Sequence, residues 1–504
     1  MRMTDDRRLS LGLIALVGAA LTIVARAEVS PDVPRFAGHW TGVATDKDGA
    51  FHTEQGIDIE IRPAPGGGLE LLDRDRGVLR GGPVPVHVTS PSQWAATWQG
   101  LFPGDISATG TLHEDGAMLE IQLGGSIMAG SSLHAQLRRD DPVARRFQWP
   151  RLQPNGRPEY GYRYVAPISR DDGWMVSTLE QEGMNPAPLE QMVRSILRQT
   201  GEPGTNVTDS VLIARHGHLV FEEYFWGYRA DLAHGISSCT KSLTSIIVGI
   251  AADRHELHPD ARVSSYFPDY PDTRWIKERY PVTIDQLLSM DAGIEWNEDV
   301  PYDDPRNTTR QLLAASDPNA FILDQPLAHP PGTHYDYNSA LPTLAGTIVA
   351  RAVHEPFEAF AQRYLLEPLG IRNFRWARQR DGTVLAAGGF AMPPRDMLKI
   401  GQLMLDGGVW KGKRIVSADW VRQSTSQHTP ADHYAYGYYW HLINPKQWSV
   451  GGEIGYLAAG QGGQFIIVIP RRALVAVITS ANWQAGGTPL AFESASPYLA
   501  ATIR

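Results

Sequence analysis

The chain has 504 residues, 42% hydrophobic and 20% charged, which is apolar material for more than one core and length for two or three domains. Its formal charge of −9, from 46 Lys+Arg against 55 Asp+Glu, argues against a partner held through phosphates, so no nucleic acid is expected. The single cysteine, Cys239, excludes an intrachain disulfide and any cysteine cage for zinc or iron–sulfur clusters, and no cofactor or metal is expected.

Arg2, Arg7 and Arg8 precede an apolar run over residues 9–24, and Ala25-Arg26-Ala27 follows it, the three-part layout of an export signal cleaved before Glu28. Residues 1–27 are therefore expected to leave the mature protein, which would be periplasmic or secreted and would meet a membrane only through that signal. Their loss takes the formal charge to −11. No later apolar run approaches the roughly 20 residues that span a bilayer.

Residues 28–137 read as short alternating strands between Gly, Pro and Asp turns, at 39–44, 57–62, 93–99, 106–112, 118–123 and 132–137. That spacing predicts a small antiparallel β-barrel or sandwich, with Trp40, Trp94 and Trp98 as core residues. Residues 138–172, rich in Arg, Asp and Pro, read as a linker. From 173 to 504 the pattern is mixed. A hairpin is expected over 211–224 around His216-Gly217, and a helix over 241–254. Further helices follow at 283–290, 341–352, 356–366, 394–405 and 418–423. Strands are expected at 464–469 and 474–479, then a last helix at 490–501. Hairpins at both ends of a segment with a helical middle imply an α+β domain, an antiparallel sheet built from the chain ends and flanked by helices, with an all-helical subdomain.

Several chemistries are absent from the sequence. It has no G-x-S-x-G elbow, no P-loop and no dinucleotide fingerprint, and His255-Glu256-Leu257-His258 is one residue short of a zinc-binding H-E-x-x-H. What remains is Ser238-Cys239-Thr240-Lys241, an S-x-x-K where a loop passes into an apolar helix. The i, i+3 spacing puts both side chains on one helical face. A serine hydroxyl attacks a carbonyl only when a neighbouring group takes its proton, and an amine does so where burial and a positive helix end favour its neutral form. Only seven lysines occur in the chain, and Lys241 alone follows a serine in this way at a helix start. Cys239, between the two, is expected to face the core as a small apolar residue.

Two further segments complete a pattern. Pro330-Pro331-Gly332 turns into His334-Tyr335-Asp336-Tyr337-Asn338-Ser339 before a helix, and Ala459-Gly460-Gln461-Gly462-Gly463-Gln464 runs into an apolar strand. With these three elements in this order, about two thirds of the chain resembles the β-lactamase-related serine hydrolases of the serine β-lactamase and penicillin-binding-protein fold. The resemblance is closest to the branch of 6-aminohexanoate-dimer hydrolase and related esterases.

The resemblance implies Ser238 as the acylated nucleophile, Lys241 as its proton acceptor and Tyr337 as the second member of the proton relay. It also implies an oxyanion hole from the backbone N–H groups of Ser238 and Gln464, where such donors contribute about 3–4 kcal/mol to lowering the barrier. Substrate contacts are expected from Asn338, Ser339, Gln461, Gly462 and Gly463, with Trp296 and Tyr302 lining the pocket. The chain departs from the penicillin-recognising pattern at Ser339, where Asn is usual, and at Gln461, where a cation is usual. A neutral amide offers a substrate carboxylate hydrogen bonds without charge attraction. Hydrolysis of a small ester or linear amide is therefore expected ahead of β-lactamase or D-alanyl carboxypeptidase-like activity, or of a non-catalytic acyl sensor of the same fold.

Overall fold

Apolar residues at alternate positions of the N-terminal strands point one way, and the sheet they form closes on itself. The computed structural model describes residues 33–46, 54–64, 66–73, 84–99, 105–125, 133–139, 148–149, 151–152, 158–159, 161–198, 208–225, 228–300, 304–429, 435–482 and 487–503. The expected export signal and Tyr302 lie outside them. Strands β1 (Gly38–Asp46), β2 (Glu54–Pro63), β3 (Leu69–Asp73), β4 (Val84–Ser90), β5 (Gln93–Gln99), β6 (Asp105–Leu112), β7 (Met118–Gly125) and β8 (Leu133–Arg139) each run antiparallel to the next, and β1 pairs with β8. The outcome is a barrel, not a sandwich.

Its interior is a packed core of Trp40, Ile59, Ile61, Leu71, Trp94, Leu119, Ile121 and Leu137 with their neighbours. Trp40 Nε1 donates to the Phe36 carbonyl at 3.0 Å. Trp94 lies over Gly110 in the adjoining strand, where a Cβ would come within 2.2 Å of the indole. The side chain of Trp98 is outside the described residues. Strands β3 and β4 were not anticipated, because Leu69-Glu70-Leu71-Leu72 breaks the alternation and Pro85 interrupts the next strand.

The second sheet uses both ends of the remaining chain. Strands β9 (Thr208–Arg215) and β10 (His218–Phe225) form the expected hairpin, with His216 and Gly217 both at positive φ, as a two-residue turn of this hand requires. From the C-terminal part come β11 (His441–Ile443), β12 (Gly455–Gly460), β13 (Gln464–Ile469) and β14 (Leu474–Ser480), and the sheet order is β10-β9-β14-β13-β12-β11. Both faces are covered, so β13 and β14 are buried at every position. Helices α1 (Pro186–Leu197) and α5 (Gly487–Thr502) cover one face. The other carries α2 (Cys239–Asp253) and α4 (Pro394–Leu405), and α3 (Ala340–Val353) packs on α2. A Thr283–Gln286 capping box opens the short helix Ile284–Leu288.

Residues 138–172 are not merely a linker. Trp149 Nε1 and Tyr162 Oη donate to the buried Glu223 carboxylate at 2.9 and 2.6 Å, and Gln148–Trp149 pairs in parallel with β10. Beside them Arg395 of α4 holds Glu222 through two bonds of 2.8 and 2.7 Å and Asp172 through one of 2.5 Å. The segment supplies partners that buried sheet carboxylates need, a demand that composition does not reveal. Among the described residues no helix is long and apolar enough to cross a membrane.

Candidate active site

The segment before α2 is held from three sides. His234–Gly235 pairs with Met392–Ala391, His234 Nε2 meets the buried Asp209 carboxylate at 2.9 Å, and Ile236 N–H donates to Phe390 O at 2.9 Å. Ser237 then takes a positive φ of 47°, a strained conformation for a residue with a side chain, and the Thr240 hydroxyl fixes its carbonyl at 2.6 Å. Ser238 follows at the N-cap position without a side-chain capping bond, which leaves its hydroxyl for other work.

That hydroxyl accepts from Lys241. Lys241 Nζ lies 2.9 Å from Ser238 Oγ and 2.9 Å from the Ala387 carbonyl oxygen, and the same nitrogen sits 4.9 Å from the centroid of the Tyr337 ring. The lysine is almost fully buried. Tyr337 is brought there by anchoring of its segment: Asp336 N–H donates to Met290 O and Gly332 N–H to Asp291 O, both at 2.8 Å. Tyr335, the other tyrosine of the segment, packs on Tyr436 at a ring separation of 5.3 Å. The three residues expected to share the chemistry therefore meet.

The third element arrives along β12. A Cβ on Gly460 would lie 2.4 Å from Ile236 O and 3.1 Å from Ser237 Cβ, so only glycine allows this strand end to lie against the nucleophile turn. Gln464 is opposite Gly460 in the ladder. Its side-chain amide pairs with the Ser480 backbone at 2.6 and 3.2 Å, and its carbonyl accepts from Cys239 Sγ at 3.4 Å. Burial raises the Cys239 thiol well above its ordinary value and keeps it protonated.

A model of the family described as Beta-lactamase matches residues 189–491. The chain belongs to the beta-lactamase family. Among relatives of this family, the 6-aminohexanoate-dimer hydrolase of Paenarthrobacter ureafaciens is 27% identical over 340 residues, 62% of this chain and 83% of that protein. Esterase EstB of Burkholderia gladioli is 26% identical over 182 residues, 32% of this chain and 45% of the esterase, so that match spans less than half of its length. Two solved structures show the same fold. One, from Bacillus anthracis and provisionally named a 6-aminohexanoate-dimer hydrolase, gives a TM-score of 0.50 at 22% identity, covering 57% of this chain and 77% of that one. The other, provisionally named a beta-lactamase, from Bacteroides dorei DSM 17855, gives 0.50 at 18%, covering 63% and 99%. The chain is a serine hydrolase of the beta-lactamase family.

Within this beta-lactamase-family site, the residues expected to touch substrate are placed unevenly. Gln461 is exposed at the tip of the β12–β13 turn. Gly462 and Gly463 are instead buried, with the Gly462 carbonyl accepting from Asn482 N–H at 2.9 Å and Gly463 packed against Ala491 and Ser480. Asn338 Oδ1 accepts from Ala340 N–H at 2.8 Å, which caps the start of α3. Ser339 gives its N–H and hydroxyl to the Glu298 carboxylate at 2.9 and 2.7 Å, and Trp296 Nε1 donates to the same carboxylate at 3.1 Å. Trp296 and Ser339 are thus tied into the frame of the site, and Glu298, which no motif singled out, joins them.

His441 also escaped the sequence reading. Its ring stacks on Tyr337 with centroids 6.4 Å apart. Burial, reinforced by the Lys241 charge, pushes the imidazole down from 6.5 to about 3, so it stays neutral in the folded protein. The unfolded chain takes up that proton as pH falls below 6.5 and the folded chain does so only near 3, so stability is lost across this window on acidification. Asp291 and Asp336, pushed up to about 6 mainly by burial, act in the opposite sense and are common to both proteins compared. The His441→Phe variant is expected to lose less melting temperature between pH 7 and pH 4 than the parent; equal slopes would contradict a neutral buried imidazole.

Proposed function

We propose that the protein is an exported hydrolase that cleaves a small ester or linear amide through an acyl-enzyme on Ser238. The observation that carries this reading is the 2.9 Å contact of Lys241 Nζ with Ser238 Oγ beside the Tyr337 ring. With its amine neutral, Lys241 takes the hydroxyl proton as Ser238 Oγ attacks the substrate carbonyl. The oxyanion is held by the backbone N–H groups of Ser238 and Gln464. Tyr337 protonates the departing oxygen or nitrogen, and its ionised oxygen then takes a proton from the water that attacks the acyl group. As the bond from the acyl carbon to Ser238 Oγ breaks, Lys241 returns its proton to that oxygen, and Ser238 and a carboxylic acid are released.

The neutral, exposed Gln461 supports esters and linear amides over β-lactams, since a bound carboxylate gains no charge attraction there. The names of the amide-hydrolase and esterase relatives point the same way. A fluorophosphonate probe with mass spectrometry is expected to label Ser238, and cell fractionation to find a mature chain starting at Glu28. In a panel of p-nitrophenyl esters, aminohexanoate oligomers and nitrocefin, the esters or oligomers are expected to turn over fastest. No label on Ser238 would defeat the enzyme reading, and faster nitrocefin cleavage would defeat the substrate assignment.

A further inference from the structure

Two adjacent glycines lie beside the proposed proton relay, and the fold requires only one of them. Gly389 has φ 69°, and a Cβ on it would come within 2.7 Å of Ala377 Cβ, so backbone and packing both exclude a side chain there. Gly388 has no positive φ, and among the described residues a Cβ on it would meet only Leu385 Cδ2, at 3.9 Å. The surroundings of Gly388 are not slack. Its N–H donates to Leu385 O at 3.1 Å, the Ala386 carbonyl accepts from the Thr244 hydroxyl at 2.8 Å, and the Gly389 carbonyl accepts from Ala377 N–H at 2.8 Å. A backbone fixed on both sides of the residue gains nothing from the freedom of glycine, which costs entropy on folding.

We propose that Gly388 is a specificity-determining residue, and that the space where its side chain would stand takes an acyl group branched at the carbon next to the scissile carbonyl. This rests on the acyl-enzyme reading above. The Ala387 oxygen that meets Lys241 Nζ at 2.9 Å belongs to the peptide joining Ala387 to Gly388, so covalent geometry puts the Gly388 Cα within about 6 Å of that nitrogen. Nζ is itself 2.9 Å from Ser238 Oγ, so an acyl group carried on that oxygen is within reach of the space. Ala387 and Lys241 are buried, whereas Gly388, Ser238 and Tyr337 are half-buried and stand where a substrate can meet them. In the relay Tyr337 serves the leaving group, and it reaches Nζ from the segment ahead of α3. Gly388 comes from the segment ahead of α4, so the room it leaves falls to the acyl part. Leu385 gives that room an apolar wall, which suits hydrocarbon branches.

The test compares p-nitrophenyl acetate with p-nitrophenyl trimethylacetate, and in a second arm phenyl acetate with methyl acetate, in the parent, Gly388→Ala and Gly388→Val. The trimethylacetate-to-acetate ratio of kcat/KM is expected to fall about tenfold in Gly388→Ala and further in Gly388→Val, because each added methyl group takes volume that the branches of the substrate need. The phenyl-to-methyl ratio should change by no more than about twofold. Gly388→Ala should melt at or above the parent temperature, whereas Gly389→Ala should melt lower. With an active parent, an unchanged acyl ratio would overturn the proposal, and so would a change as large in the leaving-group arm. A lower melting temperature for Gly388→Ala would show that the fold itself needs this glycine and would overturn it as well. A parent that turns over none of these esters and takes no fluorophosphonate label would instead overturn the hydrolase reading, and this inference with it.

Discussion

Ser238→Ala is expected to abolish covalent labelling and to lower kcat for p-nitrophenyl esters by about a thousandfold or more, with Lys241→Met falling about as far. The double variant should fall no further than either single one. Nζ and Oγ are 2.9 Å apart and in the proposed mechanism act on one proton, so removing either would end the same step. Groups that work as a unit lose their effect together, and losses that multiplied would instead mean independent roles. Melting temperatures must be compared in parallel, because Lys241 also serves the Ala387 carbonyl.

The largest stability effect is expected at α4. Arg395→Met removes a fully paired guanidinium and leaves Glu222, which is 0% exposed, with the Tyr224 hydroxyl at 2.8 Å as its remaining described donor. Breaking a buried pair from one side typically costs about 3–5 kcal/mol, which urea unfolding would register as a lower midpoint. Adding Glu222→Gln should recover a good part of the loss, since the stranded charge is then gone. A loss below about 1 kcal/mol in the single variant would show that water or rearrangement reaches this carboxylate. Arg395 also draws Asp172 and the Ile168 carbonyl onto the sheet, so the same variant should loosen the segment ahead of the hairpin.

The parts of the molecule legible in the sequence are those where one local rule governs. The hairpin at His216-Gly217, the helix after Ser238 and the strand of Gln464–Ile469 each follow from turn chemistry or periodicity, and the structure contains them close to the expected limits. Ser238 and Lys241 could be proposed from the S-x-x-K spacing and Tyr337 from the family resemblance, because the chemistry expected there needs particular side chains. What stayed hidden depends on contacts between distant segments. The Ala387 carbonyl that holds Lys241 is a backbone atom with no residue signature. Glu298 is one acidic residue among many until Ser339 and Trp296 are seen to share it. Gly463 reads in sequence as room for a ligand, whereas a Cβ there would meet Ala491, Ser480 and Asn482, and the Gly462 carbonyl accepts from Asn482 N–H. The left-handed backbone of Tyr439 does not show until the fold is assembled.

The way the second sheet is strung together has a consequence for biosynthesis. Ser210 and Thr479, 269 positions apart, share a hydrogen bond of 2.7 Å in neighbouring strands, and the nucleophile turn rests on Gly460. A ribosome that has released the chain only through α3 has made Ser238, Lys241 and Tyr337 but not the strands that hold them in register. Such distant pairings form late and slowly, because closing a long loop costs entropy before any contact repays it. Nascent fragments should therefore be inert as well as incompletely folded, and acyl transfer should begin only after the last tenth or so of the polypeptide has joined the sheet.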